Sequence, residues 1–260
     1  MKTFFVVVSL TLFLTACGQS DEPAVVATPE VSEAPMVSAA PQVDPVIDYV
    51  WNKTAADMTE AQLADIVDRW NARIDAGGYD MMGANVLMPQ FETDDYDLIW
   101  VILWPSSEAR EAGWADWNAN QVDDWTAELA GAMSYAPENV YTFKPTAGHD
   151  GMADVAVGGT FHPRFDFCSF NEGQDAASLT AFRAEYDAWL VEGESNNYGY
   201  YLMAPQFDLA DADFVWLDLF GDEAAVEAGM ASWSGSALEA SWEAMATCEN
   251  FAFLATAIRR

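Results

Sequence analysis

The residue least in keeping with its place in this chain is Asp218. Residues Phe214 to Phe220 alternate as an apolar strand, one face carrying Phe214, Trp216, Asp218 and Phe220. The segment Leu98 to Trp104, 116 residues earlier, carries Leu98, Trp100, Ile102 and Trp104 on the matching face. A carboxylate replacing an isoleucine on such a face is costly unless paired, and its pKa is expected to rise. A carboxyl titrating near neutrality can give or take a proton. No motif assigns a catalytic residue, so Asp218 and Tyr201 stand as the candidates. Asn85, Trp100, Tyr200, Tyr201, Trp216 and Asp218 are the candidate ligand-binding set, with Tyr200 and Tyr201 offering hydroxyls to Asp218 from the adjoining strand. The competing readings are an exposed edge place for Asp218 and ordinary core for the aromatic stripes.

Other chemistry is sparse. The two histidines, His149 and His162, fall between the patterned segments. With Asp150 they could offer metal ligands, but they read as ordinary exposed residues. No HExxH, Ser-His-Asp or phosphate-loop pattern occurs, so no metal and no cofactor is predicted. Carboxylates cluster at Glu92, Asp94, Asp95 and Asp97, and again at Asp208, Asp211 and Asp213. They lack the spacing of a calcium loop and read as solvated turns. Pro89, Gln90 and Phe91 recur as Pro205, Gln206 and Phe207, where a hairpin role for the glutamine backbone and amide fits best.

These residues sit on elements that occur twice. From Gly83 to Trp117 and from Gly199 to Trp233, 14 of the 35 aligned positions are identical. Such internal repetition governs the architecture. Each copy reads strand, helix, strand, strand, helix, strand. In the first, these are Val46 to Trp51, a helix capped by Thr59 with Gln62 completing a capping box, Met82 to Phe91, Leu98 to Trp104, a helix capped by Ser106, and Asn139 to Lys144. In the second, they are Phe165 to Phe170, a helix capped by Asp175, Gly199 to Phe207, Phe214 to Phe220, a helix from Asp222, and Asn250 to Ala257. The predicted repeats span residues 46–144 and 165–260, joined by a Gly-rich linker over 145–164.

This order is the ferredoxin-like split arrangement, with helices on one face of an antiparallel sheet. Leu98 to Trp104 is apolar on both faces, so the second sheet is expected to cover the first. The predicted fold is α+β: two tandem βαββαβ repeats whose sheets pack face to face as a fused barrel. In that sheet Cys168, on the first strand of the second copy, and Cys248, just before its last, lie on neighbouring antiparallel strands. A disulfide is predicted between them. The first copy has Asn52 and Ala132 at the corresponding sequence positions.

The phrase from Trp104 to Ala109 and its counterpart from Phe220 to Ala225, each followed by Gly and Trp in the helix, resemble the strand-to-helix junction of the dimeric α+β barrel superfamily. The resemblance covers about residues 46–258. It implies two half-barrels in one chain, hence a monomer that is an intramolecular pseudo-dimer. Haem-using members of that superfamily ligate iron through a helix histidine, which neither copy has. Its cofactor-free oxygenases use Asn, Trp and Tyr between sheet and helices, residue types present here at Asn52, Asn85, Trp100 and Tyr201.

The first residues add location. Lys2, an apolar run from Phe4 to Leu14, and Leu14, Thr15, Ala16, Cys17 read as an export signal. The pattern resembles a bacterial lipoprotein signal, which implies lipidation at Cys17 after removal of the leader within residues 1–17. Residues 18–45, with prolines at 23, 29, 35, 41 and 45, read as a disordered tether. The cell envelope follows, with the outer membrane of a Gram-negative bacterium favoured because Gly18 follows Cys17. Net charge is −32, with ten Lys and Arg against 42 Asp and Glu. That excludes nucleic acid and leaves the lipid anchor as the only membrane contact. An acidic surface attracts cations, though solubility alone accounts for it.

Three functions fit: a non-catalytic barrel binding a small hydrophobic or aromatic ligand or a partner, a cofactor-independent monooxygenase or isomerase using Tyr, Asn or Asp218 as acid or base, and a structural envelope component. The first is favoured by the lack of catalytic motifs. A cavity beside Asp218 would favour the second.

Overall fold

The computed structural model describes residues 43–192 and 197–260, and Cys17 and nearly all of the Pro-rich segment lie outside them. The chain runs β1 (Val46–Thr54), α1 (Glu60–Gly77), β2 (Gly83–Pro89), β3 (Leu98–Trp104), α2 (Ser107–Asn120), α3 (Val122–Leu129), β4 (Met133–His149), β5 (Thr160–Phe170), α4 (Ala176–Glu192), β6 (Tyr198–Pro205), β7 (Phe214–Phe220), α5 (Glu223–Trp233), α6 (Ala237–Met245) and β8 (Ala246–Arg259).

The helix starts follow their caps. Thr59 and Gln62 exchange both bonds of a capping box ahead of α1. Ser106 and Asp222 accept the amides of Ala109 and Ala225 at the starts of α2 and α5. Asp175 accepts from Ala177 and Ser178 at α4. The second helical stretch of each half, expected as one helix, breaks in two, at Gln121 and around Ser234.

The eight strands close into one antiparallel barrel in the order β1-β3-β2-β8-β5-β7-β6-β4, with β4 returning to β1. The expected pair of facing sheets is therefore joined along both edges. β2 pairs with β8 from Ala84↔Arg259 to Pro89↔Phe253, and β4 with β6 from Phe143↔Pro205 to His149↔Tyr200. Closure pairs the backbone groups that open sheet edges would leave exposed. It also corrects the expected boundaries. Residues 145–149 end β4 and 160–164 begin β5, so the predicted linker shrinks to 150–159. Its Gly and Pro content reads as loop, yet 145–149 pair with β6 of the other half and 160–164 with β7 and β8 of their own.

Side chains alternate between two environments. The lumen holds a core drawn from both halves, including Tyr49, Val101, Phe165, Leu217 and Phe253. The outer face of each half packs separately under its own helices. Gly113 and Gly229 allow the close approach of α2 and α5: an added Cβ would lie 2.5 Å from the Trp104 ring and 2.9 Å from that of Phe220.

Cys168 and Cys248 face each other across the β5–β8 ladder and form a disulfide. In the first half a bulge between Val50 and Asn52 shifts the register, so Tyr135, not Ala132, lies opposite Asn52.

Candidate active site

The outer faces of the two halves begin alike and end differently. On β1 and β3 the first half presents Asp48, Val50, Trp100, Ile102 and Trp104. On β5 and β7 the second presents Arg164, Asp166, Trp216, Asp218 and Phe220 at the same ladder positions. Under α1–α3 the indoles of Trp104, Trp114, Trp117 and Trp125 leave only about 50 Å3, room for little more than water. Under α4–α6, Phe220 and Met230 replace Trp104 and Trp114, and a cavity of about 410 Å3 opens.

The first half neutralises its own buried charge. Asp48 is 0% exposed and accepts from Trp104 Nε1 at 2.9 Å, Trp114 Nε1 at 2.7 Å, Arg110 Nε at 2.7 Å and Thr142 Oγ1 at 2.7 Å. Both oxygens are engaged, as a buried carboxylate requires. This cage is structural.

Asp218 is held differently. Tyr198 donates its hydroxyl at 2.5 Å and Trp216 its Nε1–H at 2.7 Å, both to Oδ1. Among the described residues no donor reaches Oδ2. Protein surrounds the carboxyl, and its residual exposure comes from the cavity it lines. Burial, and then the nearby charge of Asp166, push its pKa up to about 6, against the opposing hydrogen bonds from Tyr198 and Trp216 and the charge of Arg164. Both protonation states are therefore accessible near neutrality.

Asp166 forms the other side of the polar floor. It is 5% exposed, accepts from Arg164 Nε at 3.2 Å, and accepts a short hydrogen bond from Asn250 Nδ2. Burial raises its pKa, and Arg164 and Asn250 oppose that rise. Two carboxyls thus share one guanidinium in a low-dielectric site and titrate as a pair. Above them Tyr186 on α4 bonds the Tyr198 hydroxyl at 2.8 Å, and Trp189, Trp233 and Trp242 complete an aromatic wall.

Of the predicted residues, Trp216 and Asp218 meet in this cavity. Tyr200 lies beside it, with its ring stacked on Trp216 at 4.1 Å. Its hydroxyl donates to Asp187 at 2.5 Å and accepts from Arg183, so it is not the partner of Asp218. Tyr201 points the other way, into the lumen, where burial and then Asp150 raise its pKa. Strand alternation forbids two adjacent tyrosines from serving one face. Asn85 also faces the lumen, accepting from Arg260 Nη1 at 3.0 Å. Trp100 belongs to the first half, its buried Nε1 without a protein partner among the described residues. The functional residues missed by the sequence reading are Arg164, Asp166 and Tyr198. Alternation in Arg164, Asp166, Cys168 puts all three on the Asp218 side and was a usable signal, hidden by the expected start of that strand at Phe165.

No family profile matches the chain, and no curated protein matches it. Solved structures do. A mutant chlorite dismutase of Candidatus Nitrospira defluvii superposes with a TM-score of 0.51 at 7% identity, covering 82% of this chain and 92% of its own. A candidate chlorite dismutase gives 0.51 at 9% identity over 82% and 94%. A candidate monooxygenase of Fusobacterium nucleatum gives 0.50 at 11% identity over 83% and 93%. At these identities the likeness is one of fold. A histidine-ligated haem does not suit the cavity: the two histidines lie on β4 and β5, and neither lines it. The fold, a closed eight-stranded antiparallel barrel with six described helices, matches a dimeric α+β barrel.

Proposed function

We propose that the second-half cavity binds a small aromatic molecule bearing an acidic O–H or C–H group, and that Asp218 exchanges that proton. The observation that carries this reading is the Asp218 carboxyl: among the described residues Oδ1 holds two donors and Oδ2 none, and the group lines a cavity of about 410 Å3 with aromatic walls. A cavity beside Asp218 is the feature that favours catalysis over simple binding. The proton passes to Oδ2, and the electron pair stays on the substrate and spreads to its oxygen. Arg164, on the same floor, offsets the anion. Return of the proton at another atom completes an isomerisation with no further reactant. With O2 as oxidant the same anion leads to cofactor-independent monooxygenation, a reaction compatible with the fold relationship to the candidate monooxygenase.

The twofold recurrence of sequence and element order supports descent from a duplicated βαββαβ unit, in which only the second copy kept an open site. The leader, Cys17 and the tether support a lipid-anchored protein of the bacterial envelope, acting as a monomer.

The test is a difference-absorbance titration of the full chain with p-nitrophenol, the simplest chromophore of the required class. Saturable one-to-one binding is expected, with the bound phenol ionised at a lower pH than the free one. Asp218→Asn should abolish that spectral change. Absence of saturable binding contradicts the reading.

A further inference from the structure

A second chamber, separate from the site above, opens at one end of the barrel lumen. It measures about 550 Å3 and lies at the mouth where the β2–β3 and β6–β7 hairpins turn. Its aromatic lining is built in matched pairs from the two halves: Trp51 with Phe167, Phe91 with Phe207, and Tyr141 with Phe251. All six are only partly buried, because their faces border the void. Neighbouring rings meet at steep angles, as in Phe91 with Phe251 at 64° and Phe167 with Phe251 at 82°.

The acidic hairpins divide by role around this mouth. Asp97 accepts the amide of Thr54 at 2.7 Å, and Asp213 accepts that of Phe170 at 2.7 Å, so both pin the hairpins to the barrel. Asp95 and Asp211, the other matched pair, line the chamber with Glu249, and among the described residues no Lys or Arg lines it. Among the described residues no ion pair engages any of these three carboxylates. The chain also carries a net charge of −32. Aromatic faces present negative potential and attract an ammonium group most strongly where water is excluded. Unpaired carboxylates at the entrance steer and hold the same charge.

We infer that this chamber is a binding site for an organic cation, an alkyl- or arylammonium whose hydrocarbon part fills the aromatic chamber and whose charge lies within reach of Asp95, Asp211 and Glu249. The pairing of the lining residues suits a ligand held on the approximate twofold axis, contacted by both halves at once.

Calorimetric titration of the full chain with benzyltrimethylammonium and with its uncharged isostere neopentylbenzene tests this. The cation is expected to bind at one site at least about tenfold more tightly than the isostere. The triple variant Asp95→Asn, Asp211→Asn, Glu249→Gln alters only exposed side chains and should lose about tenfold in cation affinity without a change in melting temperature. Asp218→Asn should leave cation binding unchanged, which separates this chamber from the proton-transfer cavity. Equal or tighter binding of neopentylbenzene, unaltered cation affinity in the triple variant, or loss of cation binding in Asp218→Asn would each overturn the assignment.

Discussion

Arg164 lies directly across the β5–β7 ladder from Asp218, yet gives its Nε–H to Asp166 on its own strand at 3.2 Å. The first half has Asp48 at the place of Arg164 and Ile102 at the place of Asp218. One half therefore buries a single saturated carboxylate under a full indole layer. The other spreads two carboxyls and one guanidinium over the floor of a cavity. This asymmetry between otherwise matched halves is the basis of the proposed proton transfer.

Asp218 should make stability depend on pH. Its folded pKa, about 6, lies above its value in an unfolded chain, so the folded state holds the proton more tightly. The stabilisation is complete below the ordinary carboxylate range and is lost as pH rises through about 6. Asp166, also raised, acts in the same direction. Asp218→Asn keeps an Oδ1 acceptor for Tyr198 and Trp216 without the charge. It should be more stable than wild type by about 1–3 kcal/mol at pH 8 and nearly equal at pH 4, as read by urea unfolding at the two pH values.

The two arginine–aspartate pairs should respond unequally to truncation. Arg110→Ala leaves Asp48 three other donor groups, from Trp104, Trp114 and Thr142. Arg164→Ala leaves Asp166 buried with Asn250 alone, beside Asp218. The second change should cost on the order of 3 kcal/mol at neutral pH, and the first clearly less. Thermal melts of the two variants side by side check this, and the reverse order would contradict it.

Met230→Trp restores in the second half the residue that fills the first, where Trp114 stands. The bulky indole should occupy much of the 410 Å3 cavity and abolish p-nitrophenol binding. Met230 is 43% exposed, so the melting temperature should change little. Retained binding would place the ligand elsewhere.

The disulfide closes a loop with a sequence separation of 80. Replacing Cys168 and Cys248 together by Ala should destabilise the fold by up to about 4 kcal/mol in denaturant unfolding. The first half, which has no such bridge, should lose less of its amide protection against hydrogen exchange.

Much of this arrangement was legible in the sequence because local rules and the repeat agree. Thr59, Ser106, Asp175 and Asp222 announce their helices, and the alternation from Phe214 to Phe220 isolates Asp218. The Cys168–Cys248 bridge follows from strand adjacency alone. What was hidden depends on strand pairing that is remote in sequence. The end of β4 is held by β6 of the other half and the start of β5 by β7 and β8 of its own, while Pro145, Gly148 and Pro163 there read as loop. With β5 expected to begin at Phe165, Arg164 falls outside the pattern, and Asp166 within it reads only as an acidic neighbour of Cys168. Tyr198 escaped for a related reason: the adjoining strand was expected from Gly199, which drew attention to Tyr200 and Tyr201. Tyr201 in fact faces the lumen, and the Tyr200 hydroxyl is taken by Arg183 and Asp187.

The most direct measurement is the titration of the Asp218 carboxyl carbon by NMR, assigned by its absence in Asp218→Asn. A midpoint of about 6 is expected, moving down when Asp166→Asn removes the neighbouring charge. A midpoint in the ordinary aspartate range, unmoved by Asp166→Asn, would contradict the proton-transfer role.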